Sequence, residues 1–134
     1  MVKSPKILII EDSAFERNLM IKLLNDAGYN RITQVAYGEE GIEKFKSEKP
    51  DLVLLDLILP TMQGGDILRT LAKLKKINSR TKVIIITIIT PEEMGQNGKF
   101  TIQEAMELGA SDWILKSNFT VRLIPAVRKV LEGK

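Results

Sequence analysis

The chain has 134 residues, enough for one domain with a real core and too few for two. Its hydrophobic share of 44% and charged share of 28% are ordinary for a globular chain, and a net charge of +3 with an isoelectric point near 9.2 is only mildly basic. It contains no cysteine and no histidine, which excludes disulfides, thiolate or imidazole metal sites, cysteine- or histidine-assisted nucleophilic catalysis and a phosphohistidine on this chain.

Any acid–base or metal chemistry must therefore use carboxylates, hydroxyls, lysines and backbone groups. The longest apolar run, Val83 to Ile89 interrupted by Thr87, is far too short to cross a bilayer. Met1 to Lys6 lacks the apolar stretch of a signal peptide, so the expectation is a cytoplasmic protein with no membrane segment.

Short apolar runs alternate with longer amphipathic stretches. Ile7 to Ile10 reads as a first strand, since an unbroken apolar run suits a strand covered on both faces. Ser13 followed three residues later by Glu16 is a capping box, so a helix begins near Ala14. Phe15, Leu19, Met20, Leu23, Leu24 and Ala27 share its apolar face, and Gly28 is its C-terminal stop. Ile32 to Ala36 is more polar and reads as an edge strand. A second helix follows Gly38, with Glu39 and Glu40 in the first turn, where negative charge favours the helix dipole, and it ends before Pro50.

Leu52 to Leu55 is the third strand, a third helix runs from about Gly65 to Lys76, and Val83 to Ile86 is the fourth strand. Thr101 with Glu104 starts a short fourth helix closed by Gly109, and Trp113 to Leu115 is the fifth strand. The last helix lies between Thr120 and Leu131. Pro125 predicts a late start or an irregular first turn for it, because a mid-helix proline loses a hydrogen bond and clashes with the preceding turn. A strand followed by a helix, five times over, predicts one doubly wound α/β domain on a central parallel sheet, filling 1–134 with its core at about 6–131.

In such a sheet, ligands bind beyond the carboxyl ends of the strands. The first strand ends at Glu11 and Asp12, the third at Asp56, the fourth at Thr87 and the fifth at Lys116. Each has an ordinary reading alone: helix caps for Glu11 and Asp12, a turn residue for Asp56, a β-former for Thr87, a solvated lysine for Lys116. Their joint placement is what is specific. Three carboxylates repel one another unless a cation lies among them, and hard oxygen donors without nitrogen or sulfur select Mg2+. A lysine and a threonine beside such a cation suit a phosphoryl group, and a carboxylate that attacks phosphorus forms an acyl phosphate.

The segments Ile7-Leu-Ile-Ile-Glu-Asp-Ser13, Asp56-Leu-Ile-Leu-Pro-Thr-Met-Gln-Gly64, Val83-Ile-Ile-Ile-Thr87 and Gly109-Ala-Ser-Asp-Trp-Ile-Leu-Lys116 resemble the motifs of response-regulator receiver domains, the phospho-acceptor modules of two-component signalling. The resemblance covers nearly the whole chain and implies a flavodoxin-like (βα)5 fold with strand order 2-1-3-4-5. It implies that Asp56 is phosphorylated, that Asp12 binds Mg2+ directly and Glu11 mainly through a coordinated water, and that Asp56 and the backbone carbonyl of Ile58 complete the metal site. Thr87 would bond a phosphoryl oxygen and shift inward, Lys116 would pair with the phosphoryl group, and Trp113 stands at the switch-aromatic position. The implied donor is a histidine kinase or a histidine phosphotransfer protein. A downstream effector would read the face of the fourth helix, fifth strand and fifth helix. Such a chain catalyses its own phosphotransfer and self-dephosphorylation and is otherwise a signalling switch; no output domain is expected within 1–134.

Several positions depart from the family pattern. Ile88 replaces the usual Ala or Gly and narrows access to Asp56. Ser117 replaces the usual Pro, so a trans Lys116–Ser117 bond is expected. The stretch Thr90 to Phe100 is longer than usual and reads equally as a lid, a partner contact or a neutral insertion. Ile58 and Ile89 are apolar where polar groups often position the hydrolytic water, which predicts slow self-dephosphorylation. Ile88 and the insertion favour a rival reading, a phosphorylation-independent interaction module; intact Glu11, Asp12, Asp56 and Lys116 oppose it. A flavodoxin-like cofactor binder would need a phosphate-cradling loop after the first strand, where Glu11 and Asp12 repel phosphate. The basic cluster of Arg69, Lys73, Lys75, Lys76, Arg80 and Lys82 reads as a solvated helix end, so direct nucleic-acid binding is not expected.

Overall fold

Five apolar runs become five strands: β1 (Lys6–Ile10), β2 (Arg31–Val35), β3 (Leu52–Leu57), β4 (Lys82–Thr87) and β5 (Asp112–Leu115). The structure, a computed structural model, describes residues 4–57, 64–87 and 102–133. All the strands pair in parallel in the order β2-β1-β3-β4-β5, the doubly wound arrangement expected, with the more polar β2 at an edge. The helices between them are α1 (Ala14–Asp26), α2 (Gly38–Glu48), α3 (Gly64–Ile77), α4 (Ile102–Glu107) and α5 (Phe119–Glu132).

Alternation along each strand divides the core in two. Leu8, Ile10, Val53, Leu55, Val83 and Ile85 face Phe45 of α2, Leu71 and Leu74 of α3 and Ala105 of α4. Ile7, Ile9, Leu52, Leu54, Ile84, Ile86 and Ile114 face Met20 and Leu24 of α1 and Leu123, Ala126 and Val127 of α5. Both faces of the sheet are thus dry, which is why the strands read as continuous apolar runs. α2 seats closely on β1 at Gly41, where a β-carbon would lie 2.4 Å from Cδ1 of Ile10.

Register sets up the carboxyl edge. Ile10 lies opposite Leu55, which brings the next residues, Glu11 and Asp56, level with each other. Leu57 lies opposite Thr87, and Thr87 opposite Leu115, so Lys116 follows one step beyond.

Two expectations need correction. Phe15 does not join the apolar face of α1; it is 76% exposed, whereas Met20 and Leu24 are fully buried. Five residues of helix turn Phe15 by about 140° from Met20, out of the buried stripe. Nor does Pro125 delay the last helix. A 3-10 turn over Lys116–Asn118 leads directly into α5 at Phe119, and Pro125 lies inside the helix. The carbonyl left without its helical donor belongs to Val121, which is 72% exposed and accessible to water. The other expected boundaries hold to within a few residues, and Gly28, at φ +96°, takes the left-handed conformation that ends α1. Thr101, the expected cap of α4, lies outside the described residues.

One long-range polar contact ties the two ends of this packing. The Tyr29 hydroxyl, after α1, donates to Oε2 of Glu132 at the end of α5 over 2.6 Å. Burial and the neighbouring Glu132 push the Tyr29 hydroxyl up to about 12. A raised tyrosine pKa favours the neutral form in the folded state, so its contribution is complete below the ordinary value of about 10 and is lost as pH rises from there toward 12. Tyr29→Phe is expected to cost about 1.5 kcal/mol at neutral pH. It should also flatten the alkaline fall in Tm between about pH 10 and 12, as followed by thermal denaturation across that range.

Candidate functional site

The residues that follow the apolar strands are polar and buried at the same edge. Glu11 and Thr87 are fully buried and Asp56 nearly so, while Asp12 is exposed. Glu11 and Asp56 continue the alternation of Ile7, Ile9, Leu52 and Leu54, so they stand on the side of the sheet that α1 and α5 cover. Lys116 follows Ile114 in the same phase. Thr87 and Trp113 are in phase with Val83 and Ile85, on the opposite side, where Trp113 packs partly buried against the α2–α3–α4 core.

Local structure at the start of α1 fixes the acids. The Ser13 hydroxyl accepts from the Glu16 amide at 3.3 Å, half of the expected capping box. The reciprocal half is made by another residue: the Ser13 amide donates to Oε2 of Glu11 at 3.0 Å. Arg17 donates to the Glu11 carbonyl at 2.6 Å and to the Gln34 side chain at 3.0 Å, pinning the turn after β1.

Carboxylate oxygens of Glu11, Asp12 and Asp56 all lie within 4.8 Å of one another. Lys116, its side chain 11% exposed, brings Nζ to 2.8 Å from Oδ1 of Asp56 and 3.0 Å from Oε1 of Glu11. These are ion-pair contacts without hydrogen-bond alignment, and both Asp56 oxygens and Oε1 of Glu11 remain buried with no aligned hydrogen-bond donor. The hydrogen bond of the ammonium goes instead to Oε2 of Glu16 on α1.

The electrostatics follow from burial and crowding. Burial first, and then the Asp56 carboxylate beside it, push Glu11 up to about 9. Burial raises Asp56 above the usual carboxylate range, although Lys116 works against the shift. Burial acts against the charge on Lys116 as well, but Asp56, Glu16 and Glu11 together hold its proton more firmly than water would. Two buried carboxylates that both resist ionisation, with oxygens lacking aligned donors, form a donor set that fits a hard divalent cation.

The structure brings Glu11, Asp12, Asp56 and Lys116 together as expected and places Thr87 on the strand beside Asp56. Ile58, Ile88, Ile89 and the stretch 90–100 lie outside the described residues. Glu16 is the residue that sequence reasoning missed, because the capping box gave it a sufficient role. The signal that finds it is alternation, which puts Lys116 on the side of the sheet covered by α1.

Comparison with known proteins points the same way. The sequence matches the response regulator receiver domain over residues 7–128. The chain belongs to this family. It is 33% identical to the chemotaxis protein CheY of Thermotoga maritima over 125 residues, 93% of this chain and 96% of that protein. It is 36% identical to sporulation initiation phosphotransferase F of Bacillus subtilis over 129 residues, 96% of this chain and 95% of that protein. A CheY-like receiver domain from Methanospirillum hungatei superposes with a TM-score of 0.80 at 24% identity, covering 98% of this chain and 96% of that one. The CheY of a CheX–CheY–BeF3–Mg2+ complex from Borrelia burgdorferi superposes with a TM-score of 0.78 at 25% identity, covering 93% and 87%. Receiver domains bind Mg2+ in an acidic pocket, and Glu11, Asp12 and Asp56 are the acidic cluster of this receiver. Among the described residues no helix is long and apolar enough to cross a membrane.

Crowding of two buried carboxylates has a direct consequence for stability. In buffer free of divalent cations, Asp56→Asn removes a buried acid whose ionised form is costly beside Glu11, without changing side-chain volume. It is expected to stabilise the receiver by about 1 kcal/mol, or about 4 °C in Tm, measured by calorimetry beside the parent protein.

Proposed function

We propose that this receiver is a phosphorylation switch in which Asp56 accepts a phosphoryl group from a phosphohistidine on a partner protein. The observation that carries this reading is the buried Asp56 carboxylate with the Lys116 ammonium 2.8 Å away. An Asp56 oxygen attacks phosphorus in line, the bond from phosphorus to the imidazole nitrogen breaks, and the electron pair leaves with the imidazole, which is then protonated from solvent. Asp12, Asp56, the Ile58 carbonyl and, through water, Glu11 would hold Mg2+, which would supply positive charge for the phosphoryl oxygens. Lys116 contributes a second positive charge from the chain itself. The likeness to a CheY that binds BeF3 and Mg2+ supports a pocket of this kind.

Phosphorylation adds charge beside Thr87 and Lys116 at the ends of β4 and β5. Thr87 moves toward the new oxygens, Trp113 on the same sheet face follows, and the α4–β5–α5 face presents a changed surface to a downstream effector. The donor is a histidine kinase or histidine phosphotransfer protein, and the setting is the cytoplasm. Self-dephosphorylation is slow, because Ile58 and Ile89 offer no polar group to position the attacking water.

Incubation with Mg2+ and phosphoramidate is expected to add one phosphoryl mass, mapped to Asp56 by peptide mass spectrometry and absent in Asp56→Asn. After the donor is removed, the adduct should persist for minutes. A chain that takes up no phosphoryl group under these conditions is an interaction module independent of phosphorylation, and decay within seconds contradicts the role given to the two isoleucines.

A further inference from the structure

Lys116 faces three carboxylates from three elements: Glu11 after β1, Asp56 in β3 and Glu16 in α1. They are not equivalent. Glu11 and Asp56 approach the ammonium without hydrogen-bond alignment, whereas Glu16 accepts its hydrogen bond. Glu16 is also the least buried of the three, with its side chain 27% exposed, so it loses least on returning to water. Its position in the first turn of α1 makes a capping role natural, yet the Ser13 amide that it would cap is already taken by Glu11. The Glu16 carboxylate is thereby left free to reach across to Lys116, in the turn that follows β5.

We propose that Glu16 is a positioning residue that holds Lys116 toward α1 in the unphosphorylated state and competes with the phosphoryl group on Asp56 for that ammonium. This rests on the phospho-acceptor reading above and adds a determinant of how readily the site fills. When a phosphoryl group arrives, its oxygens offer Lys116 a stronger acceptor. Lys116 must first give up its bond to Glu16, whose carboxylate swings out to solvent. The exchange opposes phosphorylation and favours the resting state, so α1 sets the threshold of the switch through a side chain that never touches phosphorus.

The test is the affinity for beryllofluoride, a phosphoryl mimic, measured by calorimetry at saturating Mg2+ on the whole chain. Glu16→Gln, which keeps the size but not the charge, is expected to tighten binding about tenfold, and Glu16→Met at least as much. Glu16→Asp separates a clamp from a simple negative charge. It keeps the charge on α1 but withdraws the carboxylate by one methylene from Lys116, and it is expected to recover most of the same gain. Glu40→Gln, which removes a charge from α2 instead, should leave affinity at the parent value. The proposal is overturned if Glu16→Gln and Glu16→Met bind beryllofluoride as the parent does, or if Glu16→Asp matches the parent, which would reduce Glu16 to a source of general repulsion. A parent protein that binds no beryllofluoride and forms no Asp56 adduct overturns the phospho-acceptor reading itself, an outcome distinct from the other two.

Discussion

Two carboxylates, Glu11 and Asp56, lie buried at the ends of neighbouring strands, and the register of β1 on β3 leaves them no way apart. Were both ionised, at separations within 4.8 Å, their mutual repulsion in a protein-like dielectric would be on the order of 3 kcal/mol. Burial adds a solvation cost that a folded chain tolerates only when the acids take up protons or meet positive charge. Lys116 meets part of this demand, and a divalent cation would meet more of it. A site with such an internal conflict is well matched to a bound cation.

The rest of the fold is organised to hold this conflict in place. Sheet faces buried on both sides make the strands rigid, so their carboxyl ends cannot spread to relieve the repulsion. The alternation that builds the two core layers also sorts the site: Glu11, Asp56 and Lys116 toward α1 and α5, Thr87 and Trp113 toward α2, α3 and α4. The acids and their lysine therefore stand on one side of the sheet, and Thr87 and Trp113 on the other. Ser13, Arg17 and Glu16 at the start of α1 join the first helix to this edge by hydrogen bonds rather than by apolar packing.

Much of this was legible in the residues alone, for identifiable reasons. Ile7–Ile10 and Val83–Ile86 are apolar without a break because both sides of a parallel sheet are covered, and Glu11, Asp56 and Lys116 stand out because each ends such a run. Partner choice was harder to read. Ser13 with Glu16 satisfies a local rule, but Glu11 outcompetes Glu16 for the Ser13 amide, and the bond from Glu16 to Lys116 joins residues 100 positions apart. Phe15 fits a periodic pattern but lies outside the narrow stripe that Met20 and Leu24 define. Pro125 breaks a local rule that the exposure of Val121 makes inexpensive to break.

The fold brings Glu11, Asp12 and Asp56 together as a cluster that fits a cation. The most direct measurement is a Mg2+ titration of the isotopically labelled chain followed by nuclear magnetic resonance. Saturable shifts are predicted to centre on the residues after β1 and at the end of β3, to extend to Lys116 as its ion pairs rearrange, and to disappear in Asp56→Asn. Shifts that do not saturate, or that survive unchanged in that variant, would contradict it.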